Sequence, residues 1–128
     1  AQRKGKVRTL LGRLCRFHLW EPNQFGIHKP LPHDDALAEH GPGIRRAYTY
    51  KALNRLIQGS AADMTKRAMI DLHAEGIIPH LQVHDELDIS VQNKDEVKKI
   101  KEIMESTVSL EVPNKVDYEE GDNWGTIK

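Results

Sequence analysis

The segment from residue 48 to residue 75 constrains the fold most, because its apolar side chains recur every three or four positions. A stripe with that spacing lies along one side of an α-helix and is stable only when other elements cover it. Gly76 follows directly and predicts the helix end, since glycine readily adopts the left-handed conformation found there. We therefore predict one long amphipathic helix. The residues of the stripe are Leu53, Leu56, Ile57, Ala61, Met64, Ala68 and Leu72.

Two short segments after this helix predict a β-hairpin, because apolar and polar residues alternate over 81–83 and again over 87–91. The turn between them holds His84, Asp85 and Glu86 in place of the usual Asn-Gly pair. Adjacent carboxylates repel each other, and a Mg²⁺ ion, which prefers carboxylate oxygen, would relieve that repulsion. An ordinary exposed acidic turn accounts for the same residues without a metal.

The remaining elements give an α+β pattern. A second helix is predicted over 94–109 with Asn93 and Glu96 as its capping pair, and a last strand over 115–118. Residues 5–13 predict a short strand and a turn. No period holds over 20–43, where proline and glycine are frequent, so we predict a functional loop or a partly disordered segment there.

Composition excludes several classes of protein. The chain has 128 residues and contains no run of the roughly 18–20 apolar residues that a membrane span needs. Its single cysteine, Cys15, excludes an internal disulfide scaffold and fits a reducing compartment. The length suits one domain with a modest core, which is aliphatic because aromatic residues make up 5% of the chain.

The formal net charge of zero hides an asymmetry between the two halves. Residues 1–63 carry 11 Lys+Arg against 5 Asp+Glu, a balance of +6, and residues 64–128 carry 8 against 14, a balance of −6. A basic region is one sign of an anionic partner such as nucleic acid, although solvated charge gives the same pattern. The first sixteen residues hold six bases and no acid: Arg3, Lys4, Lys6, Arg8, Arg13 and Arg16.

Two further groups of side chains are candidates for chemistry. Tyr50, Asn54 and Gln58 are spaced by four and share one helix face, where the amides could donate to the minor groove of a duplex or simply face solvent. His80 and His84 share one face of a strand and could bind zinc together with a carboxylate, but neither a nearby cysteine nor an HExxH helix accompanies them.

Four segments together resemble one family, the family A DNA polymerases, which comprise bacterial DNA polymerase I and its phage relatives. Residues 82–87, Gln-Val-His-Asp-Glu-Leu, resemble palm motif C. Residues 52–63, Ala-Leu-Asn-Arg-Leu-Ile-Gln-Gly-Ser-Ala-Ala-Asp, resemble the helix before that motif. Residues 5–13 are similar to the segment after the fingers helix, and residues 112–124 are similar to the C-terminal strand and ending.

The resemblance implies particular roles for the candidate residues. Asp85 would be a catalytic metal ligand, and Glu86 its supporting carboxylate. His84 would contact the 3′ end of the primer. Asn54 and Gln58 would contact the minor groove of the template–primer duplex.

The resemblance also implies partners and a cofactor. Two Mg²⁺ ions are expected, in a site completed by a motif A aspartate that this sequence lacks. The expected partners are primer–template DNA, a dNTP and an upstream polymerase segment or subunit, with no membrane. Arg8 and Arg13 would face duplex phosphates. Many relatives carry arginine where this chain has Tyr50, and Arg46 would partly substitute for it as a DNA contact.

The implied fold is an α+β palm fragment in which a small antiparallel sheet with the motif C hairpin packs on two main helices. Its exposed apolar surface, including Leu10 and Leu11, would meet the rest of the polymerase or another copy of the chain. The expected location is the cytoplasm of a bacterium or of a phage-infected host. The predicted segments are 1–17 (post-fingers), 18–45 (loop or insert), 46–76 (long helix), 80–91 (hairpin), 93–110 (helix) and 113–128 (strand and tail).

The implied function is template-directed nucleotidyl transfer in DNA replication or repair, with this chain inactive by itself. One alternative is a non-catalytic DNA-binding or assembly subunit of a split polymerase. Another is a small hydrolase that uses a carboxylate-bound metal.

Overall fold

The computed structural model describes residues 1–127 and divides into two compact units, Ala1–Asp63 and Met64–Lys128. The long helix α2 (Ala52–Ala74) begins in the first unit and ends in the second. Strands pair only in the antiparallel sense in the described part of the chain, which confirms the predicted α+β class. The other elements are β1 (Lys6–Arg8), β2 (Leu14–Arg16), β3 (Leu19–Pro22), β4 (Leu31–Pro32), α1 (His33–His40), β5 (Ile44–Arg46), β6 (Leu81–Val83), β7 (Glu86–Asp88) and α3 (Lys94–Ser106).

The basic N-terminal segment forms a β-hairpin, in which β1 pairs with β2 and Arg8 lies opposite Leu14. Its connection is closed by the Thr9 N–H, which donates to the Arg13 carbonyl at 2.9 Å. Gly12 has φ +92°, a left-handed conformation that favours glycine. The predicted strand and turn are therefore confirmed, and a second strand completes them.

The hairpin connection is held against α2 by a buried carboxylate. Asp63 is 7% exposed. Its carboxylate accepts a hydrogen bond from the Thr9 hydroxyl and forms an ion pair with Arg13, whose Nε lies 2.7 Å away. Arg13 also donates to the Gly59 carbonyl at 2.9 Å. A Cβ atom on Gly59 would lie 2.9 Å from Thr9 Cγ2, so glycine permits the close approach.

The segment predicted to be irregular, 20–43, contains strands and a helix, so the prediction is wrong for those stretches, whereas residues 23–30 are irregular as predicted. β3 is the middle strand of a sheet in which β4 and β5 are its neighbours, and α1 follows β4 directly. The three strands do not alternate apolar with polar residues, and prolines and glycines separate them. Only Ala36 of α1 is buried, so the helix has no apolar stripe to reveal it.

Helix α2 confirms the predicted long helix. The α-helix begins at Ala52 rather than near residue 48, and a 3₁₀ turn at Thr49–Lys51 precedes it. Gly76 ends it at φ +76°, and the Ile77 N–H donates back to the Leu72 carbonyl at 2.9 Å. Only part of the predicted apolar stripe is buried. Ala68 and Leu72 are 2% and 0% exposed, whereas Leu53 and Ile57 are 67% and 56% exposed.

Helix α3 is joined to the C-terminal part of α2 by polar contacts. Lys99 Nζ lies 2.7 Å from Glu75 Oε2, and the Thr107 hydroxyl donates to the Asp71 carboxylate. The hydrogen bond and positive charge of Lys99 lower the pKa of the exposed Glu75 carboxylate. Asn93 caps α3 as predicted, since its side chain accepts from two backbone N–H groups of the first turn, whereas Glu96 accepts from the Gln92 N–H at 2.6 Å in place of the Asn93 N–H.

The strand predicted over 115–118 does not form, and α3 ends at Ser106 rather than at 109 or 110. The Val116 N–H donates to the Glu105 carboxylate at 2.9 Å, and the Asn114 amide donates to the Met104 carbonyl at 3.3 Å. Residues 114 and 116 therefore hydrogen-bond to groups of α3 rather than to a neighbouring strand.

We expect Asp63→Ala to lower the free energy of unfolding by about 1–3 kcal/mol, because it leaves the buried Thr9 hydroxyl and the Arg13 guanidinium without their acceptor. Urea unfolding followed by tryptophan fluorescence measures this change. Asp117→Ala, at an exposed aspartate, is the control and should change the stability by less than about 0.5 kcal/mol. Equal unfolding midpoints for the two variants would contradict the assigned role of Asp63.

Candidate functional site

The predicted hairpin is present and places its charged residues at a tight turn. Val83 of β6 pairs with Glu86 of β7, so His84 and Asp85 are the two residues of the loop. The His80 N–H donates to the Asp88 carbonyl at 2.8 Å and extends the pairing beyond the two strands. The side chains at 84–86 are therefore held on a short, hydrogen-bonded turn.

His84 adopts a left-handed backbone conformation, with φ +53°. For a residue with a Cβ atom this conformation costs about 1–2 kcal/mol, and such strain is concentrated at functional sites. The Gln82 side chain donates to the His84 carbonyl at 2.8 Å and braces the turn. The sequence gives no signal for this bracing contact, because its acceptor is a backbone carbonyl in the turn.

The two carboxylates of the tip are accessible. Asp85 and Glu86 are both exposed, whereas Asp88 in the same hairpin is half-buried. Within residues 1–127, no Lys, Arg or His side chain lies at ion-pair distance from Asp85 or Glu86. Two neighbouring carboxylates that are not neutralised by a cation suit Mg²⁺, which proteins often hold by one or two carboxylates.

A complete metal site is not formed by this chain in the part that the structure describes. There, no group of three or more His, Cys, Asp or Glu side chains could hold a metal ion. The zinc site considered for His80, His84 and Asp85 is therefore not assembled in the described residues. The tip offers part of a donor set for Mg²⁺, which other groups would have to complete.

The amide face of α2 lies in the first unit. Asn54, Gln58 and Ala62 are exposed, and Tyr50 precedes them in the 3₁₀ turn. Neither amide side chain donates to another group among residues 1–127, so both are available to a ligand. The contacts with DNA stay a prediction, because the structure contains the chain alone.

The arginines predicted to contact DNA have partners inside the first unit. Arg8 donates to the Gly12 carbonyl at 2.7 Å, and Arg13 neutralises Asp63. Arg46 donates to the Phe17 carbonyl at 2.8 Å, and its guanidinium lies 4.5 Å from the centre of the Trp20 ring. These three residues therefore have structural roles that the sequence did not reveal, and their contacts with DNA stay predictions.

The chain belongs to the DNA polymerase family A, whose family pattern it matches over residues 1–126. This match confirms the resemblance inferred from the four sequence segments. In the described residues no helix is both long and apolar enough to cross a membrane.

Curated relatives show how much of such a protein the chain represents. A DNA-directed DNA polymerase of Pseudomonas phage M6 is 37% identical over 125 residues, which is 98% of this chain and 16% of the phage protein. DNA polymerase I of Bacillus caldotenax is 37% identical over 138 aligned positions, covering 100% of this chain and 14% of that protein. DNA polymerase I of Caldicellulosiruptor bescii is 48% identical over 88 positions, covering 60% of this chain and 10% of that protein. The chain thus spans well under a fifth of the length of these relatives.

We expect Gln82→Met to loosen the hairpin tip, because it removes the donor to the His84 carbonyl while keeping the length of the side chain. A hydrogen bond is worth about 1 kcal/mol net, so amide hydrogen exchange over 81–88 should accelerate by about fivefold. Gln92→Met, at an exposed glutamine outside the hairpin, should leave these rates unchanged. Identical exchange in both variants would contradict the bracing role.

Proposed function

We propose that the chain is the C-terminal palm portion of a DNA-directed DNA polymerase and supplies a metal-binding carboxylate for template-directed nucleotidyl transfer. The observation that carries this proposal is the hairpin tip, where Asp85 and Glu86 are exposed and not neutralised, beside a strained His84. Membership in family A supports the same conclusion. The work of the complete enzyme is DNA replication or repair.

The residues of the tip have distinct tasks in this proposal. Asp85 would hold Mg²⁺ directly, and Glu86 would supply a second carboxylate beside it. Bound Mg²⁺ supplies positive charge that offsets the charge developing during phosphoryl transfer. His84 would contact the primer 3′ end from its exposed position in the turn.

The first unit would bind the template–primer duplex. The free amides of Asn54 and Gln58 can donate to minor-groove acceptors, which occur at every base pair, so this contact would depend little on sequence. Salt-dependent contacts with phosphates would come from basic side chains that form no ion pair within residues 1–127, such as Lys6 and Arg16.

The proposed catalytic site needs groups from outside this chain. Because the hairpin provides only two neighbouring carboxylates, further ligands and the groups that hold the dNTP would come from an upstream polymerase segment. The chain by itself would then bind duplex DNA without extending a primer. Primer extension by the purified chain would show that the site is complete and would overturn this part of the proposal.

Asp85→Asn, made in a polypeptide that joins the chain to the polymerase segment encoded upstream, should slow single-nucleotide extension by at least about 100-fold. This expectation follows because changing even outer-shell groups of a metal site costs 10–100-fold. The affinity for primer–template, measured by fluorescence anisotropy, should change by less than about twofold. Asp88→Asn is the matched control, because Asp88 lies in the same hairpin but is half-buried, and should retain extension within about threefold.

Each outcome of this experiment decides between the alternatives. Extension by Asp85→Asn at the rate of the unmodified polypeptide would overturn the catalytic role. Duplex binding without any extension by the unmodified polypeptide would instead support a non-catalytic binding or assembly subunit. Hydrolysis of DNA that is lost in Asp85→Asn would indicate a carboxylate-metal hydrolase.

A further inference from the structure

The acidic lobe, by which we mean residues 23–40, differs in charge from the N-terminal hairpin of the same unit. The lobe carries one Lys and three Asp or Glu, a balance of −2, whereas residues 1–17 carry six Lys or Arg and no acid, a balance of +6. Within residues 1–127, no ion pair joins the lobe to the hairpin. The two oppositely charged surfaces therefore do not neutralise each other inside a single copy of the chain.

The loop of the acidic lobe presents two apolar side chains to solvent. The ring centres of His28 and His40 lie 6.1 Å apart, so the loop packs against the C-terminal end of α1. Phe25 and Ile27 in this loop are 109% and 105% exposed, so both side chains are fully open to solvent. Exposed apolar side chains that cluster, rather than occur singly, indicate an interaction site.

Two carboxylates of the lobe repel each other. Asp35 and Glu39 are four residues apart on α1 and share one helix face, with about 5–6 Å between their Cβ atoms. Both are exposed, and neither pairs with a Lys or Arg side chain in the described part of the chain. Glu39 lies 3.7 Å from His40 Nε2, which is charged only when protonated. Like charges at this spacing are destabilising, and two cations at a similar spacing would relieve the repulsion.

The N-terminal hairpin presents the complementary arrangement. Lys6 of β1 lies directly opposite Arg16 of β2, and side chains in such positions have Cβ atoms about 4.5–5.5 Å apart. Like charges directly opposite each other are destabilising, and neither residue forms an ion pair within residues 1–127. Leu10 and Leu11, in the connection of the same hairpin, are 52% and 48% exposed. The hairpin thus offers two cations and two apolar side chains, where the lobe offers two carboxylates and two apolar side chains.

We infer that two copies of the chain form a symmetric dimer, in which the acidic lobe of each copy binds the N-terminal hairpin of the other. Asp35 and Glu39 face Lys6 and Arg16 across this interface, and the apolar loop covers the leucines of the hairpin. Twofold symmetry makes the contact twice and closes the assembly. DNA does not suit the lobe, because its carboxylates repel phosphates. The inference goes beyond the proposed function and describes the chain without DNA, since that function assigns Lys6 and Arg16 to phosphates.

Charge reversal followed by sedimentation equilibrium tests this pairing. Asp35→Lys with Glu39→Lys makes the lobe basic, and Lys6→Glu with Arg16→Glu makes the hairpin acidic. The unmodified chain should sediment with twice the mass of one chain at about 1–100 μM, the range expected for a small interface. Each reversed variant by itself should be a monomer, because like charges then face each other at both contacts. An equimolar mixture of the two variants should regain the dimer, since every contact again joins opposite charges.

Phe25→Ser should raise the dissociation constant of the dimer by at least about tenfold, as expected for the loss of a buried aromatic side chain. Val112→Ser is the matched control, because Val112 is 71% exposed and lies outside the first unit, and it should change the constant by less than about twofold. Asp117→Lys with Glu119→Lys reverses two exposed acids of the tail and is the control for charge. Far-UV circular dichroism verifies that each variant is folded.

A monomeric unmodified chain, a dimer of either reversed variant, or a mixture that stays monomeric would overturn the inference. If the chain is a monomer and Phe25→Ser instead weakens its binding to the upstream polymerase segment, that segment and not a second copy occupies the lobe. These measurements require neither DNA nor Mg²⁺ and do not involve Asp85. Their failure therefore leaves the proposed function intact, and normal extension by Asp85→Asn leaves the dimer intact.

Discussion

The buried carboxylate of Asp63 is the interaction on which the first unit depends. It accepts from Thr9 and Arg13 and so joins the connection of the N-terminal hairpin to α2. Gly59 allows this contact because it has no side chain to separate the two elements. At 100° per residue, Gly59 and Asp63 lie on a different side of the helix from Asn54 and Gln58. The internal contact therefore leaves the amide face free.

Contacts of this kind, between basic side chains and groups of the first unit, change the interpretation of the charge asymmetry between the two halves of the chain. A balance of +6 in residues 1–63 suggests a surface built for an anion, but several of these bases have internal partners. Arg13 neutralises Asp63, and Arg45 pairs with Glu21. The Arg46 guanidinium lies over the Trp20 ring. In the second unit some acidic side chains are also paired, as Glu75 is with Lys99. The tip carboxylates differ because no cation neutralises them within the described residues.

Sequence predicts the elements whose pattern is long or whose turn is distinctive. The long helix, the hairpin and α3 were recognisable because the helices repeat apolar positions over several turns and the hairpin alternates on both sides of a charged turn. The sheet of β3, β4 and β5 is not predicted because its strands do not alternate apolar with polar residues and prolines and glycines lie between them. The strand over 115–118 was wrongly predicted because a side chain of α3, Glu105, takes the Val116 N–H. The hairpin site was visible locally, whereas the Thr9–Asp63 contact joins residues 54 positions apart and leaves no local signal.

The central proposal is that this chain supplies one indispensable part of a polymerase site and that a separate polymerase segment would supply the other part. The most direct measurement compares template-directed extension by three polypeptides: the chain, the upstream segment, and the two joined together. The account predicts extension only by the joined polypeptide, in the presence of Mg²⁺ and all four dNTPs. Extension by the chain by itself, or equal extension by the upstream segment with and without the chain, would contradict it.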